Sequence, residues 1–446
     1  MNQTPRFGLT TATCVVIASM IGSGVFTTSG YSIASLGSPS LVLLAWLVGG
    51  LVAICGAIAY GELARRLPVS GGEYLYLSRR LHPYWGFLAG WVSLTAGFSG
   101  AIALAAVTFE VYAIKTRPDW LPENFLAVAV VLLFGLGHAF LARLAASLQN
   151  VVVIVKVFVL GIFLLVAATK LGTHSWSWAS TVTAGQTGGL WQGIEAFASS
   201  VMWISLSFAG FNAGIYIASE VRNPEWTVPR SLWIGTLVVT ILYVLLNAVF
   251  LTAVPVEKIL LQKDVAAIAA AGLGGPGLEG LIRFAVSLGT LSSVAGMVMT
   301  GPRVFSRMAD DGVFPAYFRS GDRSTTRTVL LQTVMAILLI YASDFRELLN
   351  YLSAVLALSS ALTVATLLFP DRQEPGNRIG GSVDTGKLRV TFFAALLYVV
   401  ATVVTAVLMA MDNPKNLMGL MWTIVSGTIL WLVIIRMKGS GAGKSG

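Results

Sequence analysis

The feature that most constrains this chain is a series of apolar runs, each about 20 residues long, which recurs from Leu9 almost to the C-terminus. An α-helix of that length crosses the hydrocarbon core of a bilayer. The chain is 56% hydrophobic and 11% charged, whereas charged residues make up about 25% of an ordinary soluble domain. The sequence therefore predicts an all-α membrane protein.

The hydropathy pattern predicts roughly twelve transmembrane helices. Their expected ranges are 9–33, 41–64, 84–114, 125–142, 149–169, 191–218, 231–254, 281–300, 328–342, 347–369, 390–410 and 416–436. The first run is too long for the hydrophobic part of a signal peptide and has no clear cleavage motif, so we expect it to be retained. No segment between the runs is long enough for a soluble domain, so we expect residues 1–446 to form a single transmembrane transporter domain.

Positive charge is distributed unevenly between the predicted loops. Of the 29 lysines and arginines, 20 lie at the termini or in even-numbered loops and 7 lie in odd-numbered loops. The positive-inside rule then puts both termini in the cytoplasm of a multi-pass protein of the plasma (inner) membrane. The net charge of +9 reflects this asymmetry, so we expect the lipid bilayer and no nucleic acid as partner.

The two cysteines of the sequence, Cys14 and Cys55, both lie inside predicted spans. This location argues against a disulfide framework and against a disulfide-linked partner. Two thiols and three scattered histidines form no recognisable metal-binding pattern. We therefore expect no metal and no cofactor.

The first predicted span is interrupted by the segment IASMIGSGVF, residues 17–26. Two glycines that flank a serine are poor helix formers, and unpaired backbone groups in lipid cost several kcal/mol each. One interpretation is close packing of neighbouring helices around small residues. The alternative is a functional break in the helix.

The sixth predicted span carries a second group of small and polar residues, in ISLSFAGFNAGIYIASE, residues 204–220. Broken helices at corresponding positions of two five-span halves are typical of inverted-repeat transporters, whose substrate site lies at the membrane midplane. The spacing favours the functional break. It predicts a first repeat at about 9–170, a second at about 191–369 and two extra helices at about 390–436.

A broken helix provides free N–H groups on one side of the gap and free C=O groups on the other. An α-carboxylate would fit the N–H groups around Ser23, Gly24 and Val25, with the Ser23 hydroxyl as a further donor. This arrangement suits a zwitterion, because an α-ammonium can bind the carbonyl groups on the other side.

For the ammonium we name carbonyl groups that lie just before each interruption: those of Met20, Leu206 and Ala209. The other candidate substrate-binding residues lie in the second interruption: Ser207, Phe208 and Gly210. Irregular backbone is tolerated inside a membrane only where it lines a cavity. We therefore expect these residues to surround the substrate.

Four segments, in order along nearly the whole chain, resemble signatures of the amino acid–polyamine–organocation (APC) superfamily of amino acid permeases, in particular its sodium-independent L-amino-acid transporter-like members. They are IGSGVF at 21–26, AYGELARRLPVSGGEYLYL at 59–77, SFAGFNAGIYIASEVRNPEWTVPRSL at 207–232 and GPRVFSRMADDGVFP at 301–315. The resemblance implies the LeuT-type five-plus-five inverted repeat, with helices one and six broken at mid-membrane, and alternating access.

In related permeases the substrate carboxylate binds the first-helix GSG, and the amino group binds carbonyls of helices one and six. The choice of Met20, Leu206 and Ala209 rests on this match as well as on the helix termini. One departure concerns the gate, because many relatives carry an aromatic residue where this sequence has Leu206. Either the gate is aliphatic, or Phe208 or another aromatic residue takes its place.

Lys156 is a charged residue well inside a predicted span, in NVVVIVKVFVL of the fifth helix. One interpretation is snorkelling, because a position seven residues into the helix lies about 10 Å from the interface. The other comes from the resemblance: sodium-independent relatives carry a lysine where sodium-coupled members hold a cation between helices one, five and eight. We favour the second interpretation, with Ser292 and Ser293 as neighbours of the site.

A permanently charged Lys156 would repel Na⁺ and replace it electrostatically, which favours exchange or facilitated transport. If burial instead makes Lys156 release its proton, the lysine could couple transport to H⁺. The sequence leaves both mechanisms open.

The spans expected to line the pocket carry no acidic residue at mid-membrane, because Glu62, Glu110 and Glu195 all lie near span ends. A cationic substrate side chain would be costly to bury without a partner. We therefore expect a neutral amino acid, and its size stays open.

The loop after the second span is interpreted as a solvated cytoplasmic loop, with a role in the inner gate as the alternative. Its charged residues are Glu62, Arg65, Arg66, Glu73, Arg79 and Arg80. Charged residues of loops usually face water.

Other functional classes lack support in the sequence. A membrane enzyme needs a nucleophile with a base, or metal ligands, at one depth, and a channel needs repeated rings of charges or carbonyls. We predict a secondary transporter, not an enzyme, that moves neutral L-amino acids as a sodium-independent exchanger or uniporter. The alternatives are a proton-coupled symporter and a non-transporting amino acid sensor.

Overall fold

A computed structural model describes residues 7–68, 72–176, 189–319, 321, 324–369 and 385–442. Most of this part of the chain is α-helical. The helices are α1 (Leu9–Met20), α2 (Gly24–Leu36), α3 (Pro39–Arg66), α4 (Gly72–Arg80), α5 (Pro83–Val92), α6 (Ala101–Ala113), α7 (Phe125–Leu136), α8 (His138–Thr169), α9 (Leu190–Ser207), α10 (Pro224–Thr252), α11 (Val265–Asp310), α12 (Ser324–Ala342), α13 (Phe345–Ala365), α14 (Thr385–Asp412) and α15 (Met418–Ala442).

Shorter elements connect or extend these helices. A π-helix, Ser93–Gly100, joins α5 to α6, and a 3₁₀ helix, Ala213–Glu220, precedes α10. Other 3₁₀ segments are Val256–Lys258, Ala316–Phe318, Thr366–Leu368 and Pro414–Leu417. Among the described residues, the β-type pairing is a single parallel bridge between Phe7 and Val221.

Within those described ranges, nine helices are long and apolar enough to cross a membrane. The number is ten if α1 and α2, which are bent by 43° relative to each other, form one span. The 12-residue α7 is apolar but shorter. The chain is therefore a multi-pass helical membrane protein, as predicted. The complete set of predicted spans, the inverted repeat and the domain limits stay predictions.

Local sequence signals explain several helix ends. Proline occupies the first turn of α3, α5 and α10, where its missing N–H group removes no helical hydrogen bond. The Asp344 side chain caps α13, and Glu347 completes a capping box. Gly37 adopts the left-handed conformation that ends α2.

The boundary between the fourth and fifth predicted spans is wrong. Helix α7 ends at Leu136 and α8 begins at His138, so residues 138–142 belong to the fifth helix rather than to the fourth. The break lies at Gly137, a residue whose low helix propensity favours an end.

Two other predicted spans differ in extent. The span 281–300 is the central part of the 46-residue α11, which contains a kink at Gly275 with φ of 67°. The span 191–218 is α-helical only as far as Ser207. Glycine allows both departures, because it adopts positive φ at little cost.

The core brings distant parts of the chain around the two interruptions. Helix α10 packs along α3 and α1, α11 packs along α6 and α8, and α9 contacts α2, α3, α13 and α14. Large buried side chains at the centre of this packing include Trp46, Phe208 and Tyr243.

Candidate substrate site

The first interruption, residues 21–23, separates α1 from α2. The Ser23 side chain makes no capping hydrogen bond to α2. The N–H groups in the first turn of an α-helix have no partner within the helix. The amides around Ser23, Gly24 and Val25 therefore lie at a helix N-terminus, where the sequence predicts a carboxylate site.

The second interruption, residues 208–212, follows α9 at Ser207. The chain leaves the α-helix through a tighter turn, in which Phe208 N donates to Ser205 O at 3.1 Å. Gly210 has φ of 102°, a conformation that residues with a side chain rarely adopt. A 3₁₀ helix follows instead of an α-helix. The second interruption is therefore longer and less regular than the first.

The two interruptions are in direct contact. A Cβ atom added at Gly24 would lie 2.5 Å from Ser207 Oγ and 3.0 Å from Ser207 Cα. A Cβ atom added at Gly210 would lie 2.8 Å from Ser19 O and 3.3 Å from Met20 N. The start of α2 thus packs against the end of α9, and the second interruption packs against the end of α1. A side chain at either glycine would separate these segments.

Tyr243 of α10 joins the two interruptions, and the sequence analysis missed it. Its buried hydroxyl lies 2.6 Å from Met20 O and 3.2 Å from Ser207 O. One turn later, Asn247 donates to Tyr243 O at 2.9 Å and accepts a hydrogen bond from Ser29. A tyrosine inside an apolar span is the available signal, but its partners are distant in the sequence.

The carbonyl groups predicted for the ammonium differ in their present bonding. Met20 O accepts hydrogen bonds from Gly22 N at 2.7 Å and from the Tyr243 hydroxyl, so both of its lone pairs are in use. Leu206 O accepts backbone hydrogen bonds from Ala209 N at 3.0 Å and from Phe208 N. An ammonium at Met20 O would therefore have to displace a partner.

Lys156 of α8 contacts the first interruption. Its side chain is 5% exposed, and Nζ donates a hydrogen bond to Ile21 O. A Cβ atom added at Gly289 of α11 would lie 2.9 Å from Lys156 Cδ. The lysine therefore lies between the first interruption, α8 and α11. This position differs from that of a side chain that snorkels toward the interface, and the part of Lys156 in a cation site stays a prediction.

Ser292 and Ser293 lie half-buried on α11. Ser293 Oγ donates to Gly289 O at 3.0 Å within its own helix. Within the described residues, Lys156 Nζ donates to Ile21 O and not to either serine. Their part in a coupling site stays a prediction.

A cavity of about 160 Å³ lies beside the second interruption. Of the predicted site residues it contacts Leu206, Phe208 and Ala209, and its other walls come from α3, α9, α13 and α14. Most of its lining is apolar, with Ser360 and Tyr398 among the polar exceptions. The cavity thus extends from the second interruption toward α14, which the sequence analysis treated as an extra helix.

The two gate candidates occupy different environments. Phe208 is 1% exposed and packs against Trp46 and Tyr243, with ring centroids 6.0 Å and 5.2 Å away. Leu206 is half-buried and lines the cavity. The aliphatic side chain is therefore the freer of the two to move.

The interpretation of the loop after the second span as solvated is wrong for two of its carboxylates. Glu62 is 9% exposed and is held by Arg65 and Arg66, each at 2.8 Å. Glu73 is 8% exposed and accepts hydrogen bonds from α3 and α13, among others. Hydrogen-bond donors that the local sequence does not reveal make this burial possible.

The fold and the site together define a class of protein. Membrane-length helices surround two neighbouring helix interruptions, with the buried Lys156 at one and a cavity at the other. This is the architecture expected of a membrane transporter with a central site. The sequence pattern of the amino acid permease family matches residues 7–434, and the chain belongs to this family, within the APC superfamily.

Curated relatives are also transporters. The chain is 27% identical over 370 residues to the human large neutral amino acids transporter small subunit 2. The aligned region covers 81% of this chain and 68% of that protein. It is 25% identical over 376 residues to the mouse b(0,+)-type amino acid transporter 1, with 81% and 75% covered. It is 25% identical over 380 residues to the mouse Asc-type amino acid transporter 1, with 81% and 70% covered. The predictions of amino acid transport and of a protein that is not an enzyme are confirmed.

Proposed function

We propose that this permease moves neutral L-amino acids across the plasma membrane by alternating access, without sodium, as an exchanger or uniporter. The names of two relatives support an amino acid substrate: one is a large neutral amino acids transporter subunit and the other is an Asc-type amino acid transporter. The first name also supports a neutral substrate. Cytoplasmic termini and the absence of a disulfide-linked partner belong to the same proposal and rest on the sequence.

The two interruptions are proposed to bind the backbone of the substrate. The carboxylate would accept hydrogen bonds from the amides around Ser23, Gly24 and Val25. The Tyr243 hydroxyl now bridges Met20 O and Ser207 O. We expect the substrate ammonium to compete with this hydroxyl, because both are donors and the two carbonyls converge on one point. Leu206 and Ala209 would then complete the ammonium site.

The proposal depends most on one observation, the hydrogen bond from Lys156 Nζ to Ile21 O. A fixed positive charge inside the first interruption supplies what a bound cation would supply and repels Na⁺ at short range. It also strengthens the attraction for the substrate carboxylate at the adjacent helix N-terminus. Transport then requires no sodium gradient.

Proton symport is the second candidate, and the burial of Lys156 favours it. Desolvation disfavours a charged ammonium, so the side chain could release a proton to the solvent when the site opens. The hydrogen bond to Ile21 O works in the opposite direction, because a carbonyl stabilises the donor form.

Uptake into liposomes that contain the purified protein tests the proposal. Labelled alanine and labelled leucine would be offered in sodium-free buffer at two external pH values, with and without amino acid inside. Stimulation by internal amino acid with little effect of pH supports an exchanger, whereas equal uptake into empty liposomes supports a uniporter. Uptake that follows an inward proton gradient supports the symporter. Binding without any accumulation supports a sensor and overturns the proposal.

A further inference from the structure

Glu73, near the start of α4, is a buried carboxylate outside the substrate site. Its Oε1 accepts hydrogen bonds from the Tyr60 hydroxyl at 2.5 Å and the Ser360 hydroxyl at 2.7 Å. Asn212 Nδ2 lies 3.4 Å from the same oxygen. The Ser359 hydroxyl donates to Oε2 at 2.8 Å. In the part of the chain that the structure describes, these four donors are neutral side chains. We refer to these five residues as the Glu73 cluster.

The donors of the Glu73 cluster come from three elements besides α4. Tyr60 belongs to α3, Ser359 and Ser360 belong to α13, and Asn212 belongs to the second interruption. A charged acceptor makes stronger hydrogen bonds than a neutral one. Glu73 therefore connects α4 to all three elements at once, and the bond to Asn212 is the longest of the four.

The Glu73 cluster lies at one end of the cavity. Ser360 belongs both to the cluster and to the cavity wall. Phe211, which also lines the cavity, packs edge-on against Tyr60 and Tyr398, with ring centroids 5.5 Å and 6.0 Å away. Beyond Tyr60, α3 continues only to Arg66. The cluster therefore separates the cavity from the end of α3 that the charge distribution assigns to the cytoplasm.

Helix α4 has a second attachment that does not involve Glu73. The Tyr74 hydroxyl donates to Asp311 Oδ2, just after α11, at 2.9 Å. Burial and this carboxylate raise the pKa of Tyr74 well above its usual range, so the hydroxyl remains a donor. Loss of the Glu73 bonds would therefore free the second interruption and the Ser359–Ser360 part of α13 from α4. Helix α4 itself would stay attached, and its Arg80 would still donate to Thr366 O at the end of α13, at 3.0 Å.

We propose that Glu73 is the latch of the inner gate of this permease. It is a positioning residue: its hydrogen bonds to Asn212 and Ser360 hold the second interruption and α13 against α4 while the cavity is closed to the cytoplasm. Those bonds break when the cavity opens to that side. The inference rests on the proposed function, because a gate has meaning only for a protein that moves a substrate.

The charge of Glu73 is the property that makes it a latch. The titratable groups that face it are the hydroxyls of Tyr60 on α3, Tyr216 on the 3₁₀ helix and Tyr398 on α14. A negative charge surrounded by neutral donors holds each of them more firmly than an amide would. The change Glu73→Gln keeps the shape, removes the charge and replaces one acceptor oxygen by a donor.

The test measures access to the cavity with a single cysteine. Cys14 and Cys55 are replaced by serine, and Ala357→Cys supplies a thiol in the cavity wall. A membrane-impermeant thiol reagent is applied to inside-out vesicles, which present the cytoplasmic face, and to right-side-out vesicles. We expect Glu73→Gln to accelerate labelling from the cytoplasmic face about tenfold, since hydrogen bonds to a charged group are lost. Labelling from the external face should stay unchanged.

Two further variants keep the test decisive. Ser360→Ala keeps the charge, removes one donor and should give a smaller acceleration on the same face, even if Glu73→Gln fails to fold. Glu62→Gln neutralises a carboxylate of similar burial that is held by Arg65 and Arg66 and does not line the cavity. It should label at the parental rate. Parental rates in both Glu73→Gln and Ser360→Ala, or equal acceleration on both faces, would overturn the latch.

Labelling does not require transport, so the two proposals fail separately. If the unaltered protein accumulates no amino acid but Glu73→Gln still accelerates labelling from the cytoplasmic face, the proposed function fails, and Glu73 controls access to the cavity of a protein that does not transport. If the unaltered protein transports amino acids but Glu73→Gln does not change the labelling rate, only the latch proposal fails. A proton-driven uptake that Glu73→Gln abolishes without any change in labelling would make Glu73 a proton site, and would also overturn the latch.

Discussion

The two interruptions of the helical core differ in length, in charge and in what surrounds them. The first spans residues 21–23, lies between two α-helices and accepts a hydrogen bond from Lys156 Nζ at Ile21 O. The second spans residues 208–212, continues into a 3₁₀ helix and borders the cavity. In the described part of the chain, no charged side chain donates to the backbone of the second interruption.

This difference suggests that the two interruptions bind different parts of the substrate within one site. A short break that holds the amino group of Lys156 is suited to bind the part that all amino acids share, because every substrate has the same carboxylate. A longer break beside an apolar cavity is suited to accommodate side chains and to move, because it has few regular hydrogen bonds to lose. Changes at the first interruption should therefore abolish binding, and changes at the second should alter preference.

The largest effect is expected for Gly24→Leu. Even the Cβ atom of the new side chain would lie 2.5 Å from Ser207 Oγ, so the carboxylate site would fill and the two interruptions would separate. Binding of a neutral amino acid, measured by calorimetry on purified protein, should be lost. Gly161→Leu, on α8 and outside both interruptions, is the matched control, because a Cβ atom there meets no atom within 4 Å. Unchanged affinity in Gly24→Leu would mean that the break serves packing alone.

Lys156→Ala should come next. Removal of the ammonium leaves Ile21 O without its donor and the first interruption without its charge, so transport should nearly cease while the protein remains folded in the membrane. Uptake into liposomes measures the first effect, and thermal unfolding in detergent measures the second. Lys170→Ala, at the exposed end of α8, is the control. Full transport by Lys156→Ala would restore the snorkelling interpretation.

Tyr243→Phe should have an intermediate effect. The change removes one hydroxyl that bridges the two interruptions. A buried hydrogen bond contributes about 1 kcal/mol, which corresponds to a change in affinity of less than about tenfold. The KM for uptake should change more than the melting temperature does. Tyr112→Phe removes a buried hydroxyl that donates only to Phe26 O, at 2.8 Å, and should affect stability alone. Equal effects of the two variants on KM would contradict the bridging role.

Leu206→Phe should have the smallest effect and should appear as a change of preference. The larger ring would fill part of the cavity, so competition by leucine or phenylalanine against labelled alanine should weaken about tenfold, with alanine uptake little changed. Leu242→Phe, on α10 and away from the cavity lining, is the control. If all competitors weaken equally, Leu206 acts as a general gate and not as a selector.

The sequence predicted the features that depend on local chemistry. The pattern Gly22-Ser23-Gly24 disfavours a continuous helix, and the chain leaves the helix at residues 21–23. Lys156 in an apolar run had either to reach the interface or to be buried, and it is buried. Tyr243 was missed because its role depends on Met20, 223 residues away in the sequence.

Glu73 was misjudged for a related reason. A glutamate among arginines after two glycines resembles a solvated loop residue. Its burial depends on hydrogen bonds from Tyr60, Asn212, Ser359 and Ser360, and the last three are distant from it in the sequence. The cavity beside α14 could not be predicted either, because it results from the packing of four helices and not from any motif. Long-range contacts of this kind have no periodic signature in the sequence.

The central claim is that both interruptions form one amino acid site, and cysteine protection tests it most directly. In a background without Cys14 and Cys55, Ser23→Cys and Ala209→Cys would each be labelled with a small thiol reagent over a range of neutral amino acid concentrations. We predict that the substrate protects both cysteines with the same half-effective concentration. Protection of only one cysteine, or two clearly different concentrations, would contradict the claim.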